Sequence, residues 1–127
     1  MKASLILSVT AVLWFAAGLI GILAPEQAMS MFGLGAPTEA LIATRDGGVV
    51  LIGVGIIDWL ARDAVGAPLR GILWGNIFIL VGDAVVNIFE LAAGITTPGP
   101  WVASFALQLL LVPMLALGLS EARRSSP

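Results

Sequence analysis

Four long apolar runs, residues 3–24, 40–60, 69–93 and 101–119, dominate the chain and leave it few ways to fold. A bilayer-spanning helix needs roughly 20 mostly apolar residues, and each run is near that length. In lipid every backbone N–H and C=O must find a partner inside the protein, so such runs are helices or strands of a closed barrel. Barrel strands alternate polar and apolar residues, and these runs do not. Composition agrees: 59% of the 127 residues are hydrophobic and 11% charged, too little polar surface to cover a water-soluble domain of this size. The sequence predicts an all-α membrane protein, an antiparallel bundle of four transmembrane helices forming one domain over residues 1–127. Its helices are expected at about 3–24, 39–62, 68–93 and 101–119.

Lys2 ahead of an apolar core raises the question of a cleaved signal peptide. The core is long for one, and Pro25 directly after Ala24 makes a poor cleavage junction, so a retained first helix is expected. The links are short, which in helical bundles favours antiparallel neighbours in sequence order. An up-down course puts Lys2, Arg62, Arg70, Arg123 and Arg124 on one side and Arg45 alone on the other. The positive-inside rule then makes both termini cytoplasmic. Trp59 and Trp101 suit the two interfaces.

The first link, PEQAMSMFGLGAP, has a pattern of its own. Pro25 suits a first helical position and Gly33 a helix end. Ala28, Met29, Met31 and Phe32 supply an apolar side, giving a short external helix on the membrane surface or the bundle top. Thr38 is expected to cap the next helix. Small residues let membrane helices approach closely, so Gly48 and Gly55 in the second run and Gly71, Gly75 and Gly82 in the third are the expected packing positions.

The third run carries the chemistry. At ~100° per residue, Asn76, Asp83, Asn87 and Glu90 share a stripe of ~60°, apart from the glycines. An ionisable group inside a membrane helix is costly and faces a partner, a cavity or a pathway. Counting ~1.5 Å per residue, Asp83 lies roughly 16 Å below the outer end, Arg45 ~9 Å and Gln108 ~10 Å. Arg45, Asp46, Asn76, Asp83, Asn87, Glu90 and Gln108 are thus the candidate ligand- or partner-binding residues, expected to converge in the outer half. Arg45 is expected to neutralise Glu90 or Asp46. Asp83, deeper and farther away, is expected as the neutral acid, since burial disfavours the anion. The same groups serve equally as interhelical glue. Asp58 and Arg62, spaced i,i+4, read as an ion pair at the inner boundary.

Several function classes fall away. Cysteine and histidine are both absent, which removes thiol chemistry, disulfides and Cys or His metal sites. No metal, cofactor or catalytic residue is expected, since no nucleophile–base pair is evident. A net charge of −2 with no basic stripe gives no case for nucleic acid.

The order of features, namely an apolar first helix, a link containing FGLGAP, the segment TRDGGVVLIGVGIIDWLARD, a short basic turn and two further helices, resembles small bacterial four-helix membrane proteins of the DoxX-like group. That resemblance implies a four-helix membrane fold and, in some relatives, association with quinone-linked oxidoreductases. It carries over no catalytic residue. Small multidrug-resistance exporters fit less well, because they rely on an acidic residue in the first helix, and residues 3–24 hold none. Fluoride channels carry a TTFS-type motif that is absent. The expected function is a non-enzymatic membrane protein that binds a lipophilic molecule, or serves as an accessory subunit of a larger membrane complex or homo-oligomer, through the outer polar cluster. The alternative is a small oligomeric transporter coupled to protons or cations through Asp83.

Overall fold

The computed structural model describes residues 3–31, 33–95 and 98–124. The order is α1 (Ala3–Leu23), α2 (Pro25–Met31), α3 (Thr38–Leu60), α4 (Gly66–Ala92) and α5 (Pro98–Arg124). No strand occurs among the described residues. The four long helices are each apolar and long enough to cross a membrane. Their outward surfaces stay apolar, with Leu60 and Phe78 more than three-quarters exposed. Expectations placed on Lys2, Phe32 and the side chains of Trp101 and Arg124 lie outside the described residues.

The short helix α2 forms as the link's residues dictate. Pro25 starts it, and Gly33 ends it at φ 67°, a left-handed conformation that costs glycine nothing. The Gly33 N–H donates to Ser30 O at 3.0 Å and the Leu34 N–H to Met29 O at 3.1 Å, the paired bonds of a Schellman terminus. Gly94 ends α4 in the same way, with φ 72° and bonds from Gly94 N to Leu91 O and from Ile95 N to Glu90 O. Pro25 and Met29 are buried against the bundle, whereas Met31 is exposed.

Several boundaries differ from expectation. Pro37, not Thr38, occupies the cap position of α3, and no side chain caps it; Thr38 is already helical. The start of α4 lies at Gly66, with Pro68 inside the first turn, where a missing N–H costs nothing. For the same reason Pro98 and Pro100 are tolerated at the start of α5, which also continues past Leu119 to Arg124.

Two modes of packing hold the helices. Between α1 and α3 the contact is glycine-mediated. A Cβ on Gly18 would lie 2.6 Å from Gly48 O, one on Gly48 would lie 2.7 Å from Gly18 O, and one on Gly55 would lie 3.0 Å from Ala11 O. Backbones approach this closely only where side chains are missing. Between α1, α4 and α5 the contact is a leucine-rich core of Ile6, Leu7, Leu69, Leu73, Leu111 and Leu115, with Leu80 and Leu119 extending it. The closely packed pairs are α1–α3, α4–α5 and α1–α5, with α2 against α1 and α3. Sequential neighbours were expected to pack throughout, yet α3 and α4 meet only sparsely. The glycine contact commits α3 to α1, and the leucines commit α4 to α5.

Of the expected packing glycines, both Gly48 and Gly55 sit at the α1–α3 contact, Gly48 opposite Gly18 and Gly21, which lay outside the sequence expectation, and Gly55 opposite Ala11 and Phe15. Gly71, Gly75 and Gly82 lie elsewhere: a Cβ on any of them would meet nothing within 4 Å.

Candidate functional site

Three polar residues of α4, Asn76, Asp83 and Asn87, divide between two clusters. The first centres on Asn76, which is 3% exposed. The Trp14 indole N–H of α1 donates to Asn76 Oδ1 at 2.8 Å. Asn76 Nδ2 donates to Asp58 Oδ1 of α3 at 2.8 Å, and to Ile72 O of its own helix at 3.1 Å. One amide thus joins three helices, using donor and acceptor ends together. Asp58 is 1% exposed, and its Oδ2 has no hydrogen-bond partner. Thr10, also fully buried, has its hydroxyl within hydrogen-bond distance of Ile6 O and Leu7 O, at 3.2 and 3.1 Å.

The Asp58–Arg62 boundary pair expected from their spacing does not form. The Arg62 guanidinium lies 3.6 Å from Asp63, donates to Trp59 O at 2.8 Å and sits 4.3 Å from the centre of the Trp59 ring. Asp58 instead follows Gly55 by three residues, which turns it toward the α1–α3–α4 junction. That spacing was the available signal for its burial. An i,i+4 partner of opposite sign was the more conspicuous one.

The second cluster lies between α4 and α5. Asp83 Oδ2 accepts a close hydrogen bond from Gln108 Nε2 and another from Asn87 Nδ2 at 3.0 Å. Gln108 is buried, and its Oε1 has no partner. An apolar groove of about 250 Å³ runs alongside, lined by Leu80, Ala84, Phe105, Leu109 and Gln108. The result is a carboxyl group held by two amide donors, one of them from Gln108, which also lines the groove.

The seven candidate residues therefore do not converge on one site. Asp83, Asn87 and Gln108 come together, and Asn76 belongs to the Trp14–Asp58 cluster. Glu90 is half-buried, and its carbonyl accepts the Ile95 N–H. Arg45 and Asp46 are exposed on α3. Among the described residues neither forms an ion pair or hydrogen bond with Asp83, Asn87, Glu90 or Gln108. The cause is the packing of α3 on α1, which leaves it few contacts with α4.

A second opening of about 270 Å³, near the ends of α1 and α5, is lined by Ser4, Arg62, Asp63, Gly66 and Glu121. It shares no residue with either cluster. Among the described residues no group of three or more acidic side chains is placed to hold a metal ion. Comparison with protein-family models, curated proteins and solved structures gives no match. The functional reading therefore rests on the geometry of the clusters.

Proposed function

We propose that the chain is a non-enzymatic, multi-pass membrane protein that binds a lipophilic molecule, or seats against a larger membrane complex, through Asp83, Asn87 and Gln108. One observation carries the reading: Gln108, which lines an apolar groove, also donates to the Asp83 carboxyl. Ligand sites for apolar molecules combine such a lining with a few placed polar groups. The Trp14–Asn76–Asp58 cluster has no comparable role in this reading. Its groups are deeply buried and bind one another across three helices. The four-helix up-down course, the inner-membrane location and the cytoplasmic termini belong to the same proposal. They are supported by the apolar spans and by the basic residues concentrated around Arg62, Arg70 and Arg123. The resemblance to DoxX-like proteins points the same way.

Native mass spectrometry of the full chain, released gently from membranes, tests the reading. The wild type should carry a lipophilic molecule or a partner subunit. Gln108→Leu should lose it, while Gly71→Ala, where an added Cβ meets nothing within 4 Å, should keep it. Finding nothing bound to the wild type, or equal retention in Gln108→Leu, would overturn the proposal. A second reading, a transporter coupled to protons or cations, is favoured by one feature. Asp83 is exposed and has no cationic partner among its described contacts. Proton or cation flux in reconstituted vesicles, abolished by Asp83→Asn, would favour that reading over ligand holding.

A further inference from the structure

An exposed face of α3, beside its contact with α1, has a regular pattern. Ile42, Asp46, Val49, Gly53, Ile56 and Leu60 follow one another at alternating intervals of four and three residues, the spacing of a heptad seam. Ile42, Val49, Ile56 and Leu60 are all exposed, between 45% and 76%. Asp46 is exposed as well, and a Cβ on Gly53 would meet nothing within 4 Å. The neighbouring face carries Gly48 and Gly55 against α1, with the Asp58 bond to Asn76 beyond them, and Ile56 and Leu60 border Val12 and Phe15 of α1 in a shared groove. Helix α3 therefore has one face packed within the chain and a second, heptad-spaced face left open.

Lipid satisfies the apolar members of this seam but not its charges. Arg45 and Asp46 come seven and eight residues after Thr38, the first residue of α3, hence roughly 10–12 Å along the helix. The helix has 23 residues, about 34 Å at the same rise, so both charges fall inside an apolar layer ~30 Å thick. Arginine is long enough to extend its head group toward the surface. Aspartate is not, and an intramembrane carboxylate facing lipid is costly. Asp46 calls for a cation at its own depth from outside the chain.

We propose that this face pairs with α3 of a second copy of the same chain. The signs of the charges support that choice of partner. Two copies inserted in the same orientation are related by a two-fold axis along the membrane normal, which sets their α3 helices parallel. A two-fold contact is self-complementary: each residue meets its partner's counterpart reciprocally. Arg45 flanks the seam beside Asp46, so each Arg45 faces the partner's Asp46, and the two pairs close together. Val49, Gly53 and Ile56 then interdigitate below them, and Gly53 permits close approach of the helices. Asp46 sets the register, as a single polar residue does in a coiled-coil seam. The interface shares no residue with the Asp83 network and does not depend on its role.

The chain contains no cysteine, so single cysteines report contacts cleanly. In the full chain reconstituted in lipid vesicles, Val49→Cys should cross-link between copies on mild oxidation. Phe78→Cys, exposed on α4, should not. In the Val49→Cys background, Arg45→Asp or Asp46→Arg should each lower the cross-linked fraction about tenfold or more, since each sets like charges together. Mixing these two variants should restore cross-linking, and so should the exchange of both charges within one chain. The exchanged chain keeps the same residue types, so its recovery separates pairing from misfolding. Equal cross-linking of Val49→Cys and Phe78→Cys, insensitivity to the single charge variants, or no recovery on charge exchange would each overturn the proposal.

Discussion

Alanine at Gly18 and alanine at Gly71 are the same chemical change and should have opposite effects. The Cβ of Gly18→Ala would stand 2.6 Å from Gly48 O, 2.7 Å from Ile52 Cγ1 and 3.0 Å from Ile52 N. Ordinary carbon contacts lie at ~3.5–4.0 Å. Two of the three obstacles are backbone atoms, so no side-chain rotation relieves them, and α1 must move from α3 by roughly 1 Å. A gap of that size along a packed face forfeits about a quarter to a half of its dispersion attraction. Overpacking of this kind costs ~1–3 kcal/mol, against which alanine's better helix propensity returns ~0.5–1 kcal/mol. At Gly71 nothing lies within 4 Å, so only the propensity gain remains. Unfolding of the full chain in mixed micelles, followed by circular dichroism as denaturing detergent is titrated in, should show Gly18→Ala destabilised and Gly71→Ala unchanged or slightly stabilised. Gly48→Ala should behave like Gly18→Ala, since its Cβ would lie 2.7 Å from Gly18 O. Equal shifts at Gly18 and Gly71, or a larger loss at Gly71, would refute the assignment of the close helix contact to α1 and α3.

Asn76→Leu should strand the Trp14 indole N–H and Asp58 Oδ1. With interhelical bonds in membranes averaging ~0.6 and reaching ~1.7 kcal/mol, the loss of two should cost about 1–3 kcal/mol in the same unfolding assay. A change in Trp14 fluorescence should accompany it, and unchanged stability would remove the three-helix role of this amide. Arg62→Leu should cost less than ~1 kcal/mol, because its partners are Asp63 and the Trp59 ring and carbonyl at a partly exposed helix end. A loss of several kcal/mol would mean that Arg62 neutralises Asp58 after all.

The helices were legible because their cause is local. Run length, the prolines at helix starts and Gly33 at a helix end act through the backbone of a few adjacent residues. That is why α1 and α2 fall where expected, and why errors at Thr38, Gly66 and Pro98 amount to a few residues of capping and first-turn geometry. The bond from Asn87 to Asp83 was legible for the same reason, being one turn apart on one helix. Gln108 was counted some way above Asp83 from a helix start at Trp101, and the start of α5 at Pro98 adds roughly 4–5 Å to its depth and brings the two level.

The sequence by itself determined that this chain forms apolar helices, that its polar groups are confined to a few levels within them, and that thiol chemistry is excluded. Only the tertiary structure decided which helix each face meets. Periodicity places Asn76 and Asp83 on one stripe, but a stripe on α4 borders more than one helix. Asn76 faces the α1–α3 side and Asp83 faces α5. Glycine spacing looks alike on α3 and α4, yet the Gly18–Gly48 contact commits α3 to α1 and leaves Arg45 and Asp46 on the outside. Helix identity is set by interactions within a few turns. Helix partnership is set by which pair of faces can approach most closely, and that comparison involves residues far apart in the chain.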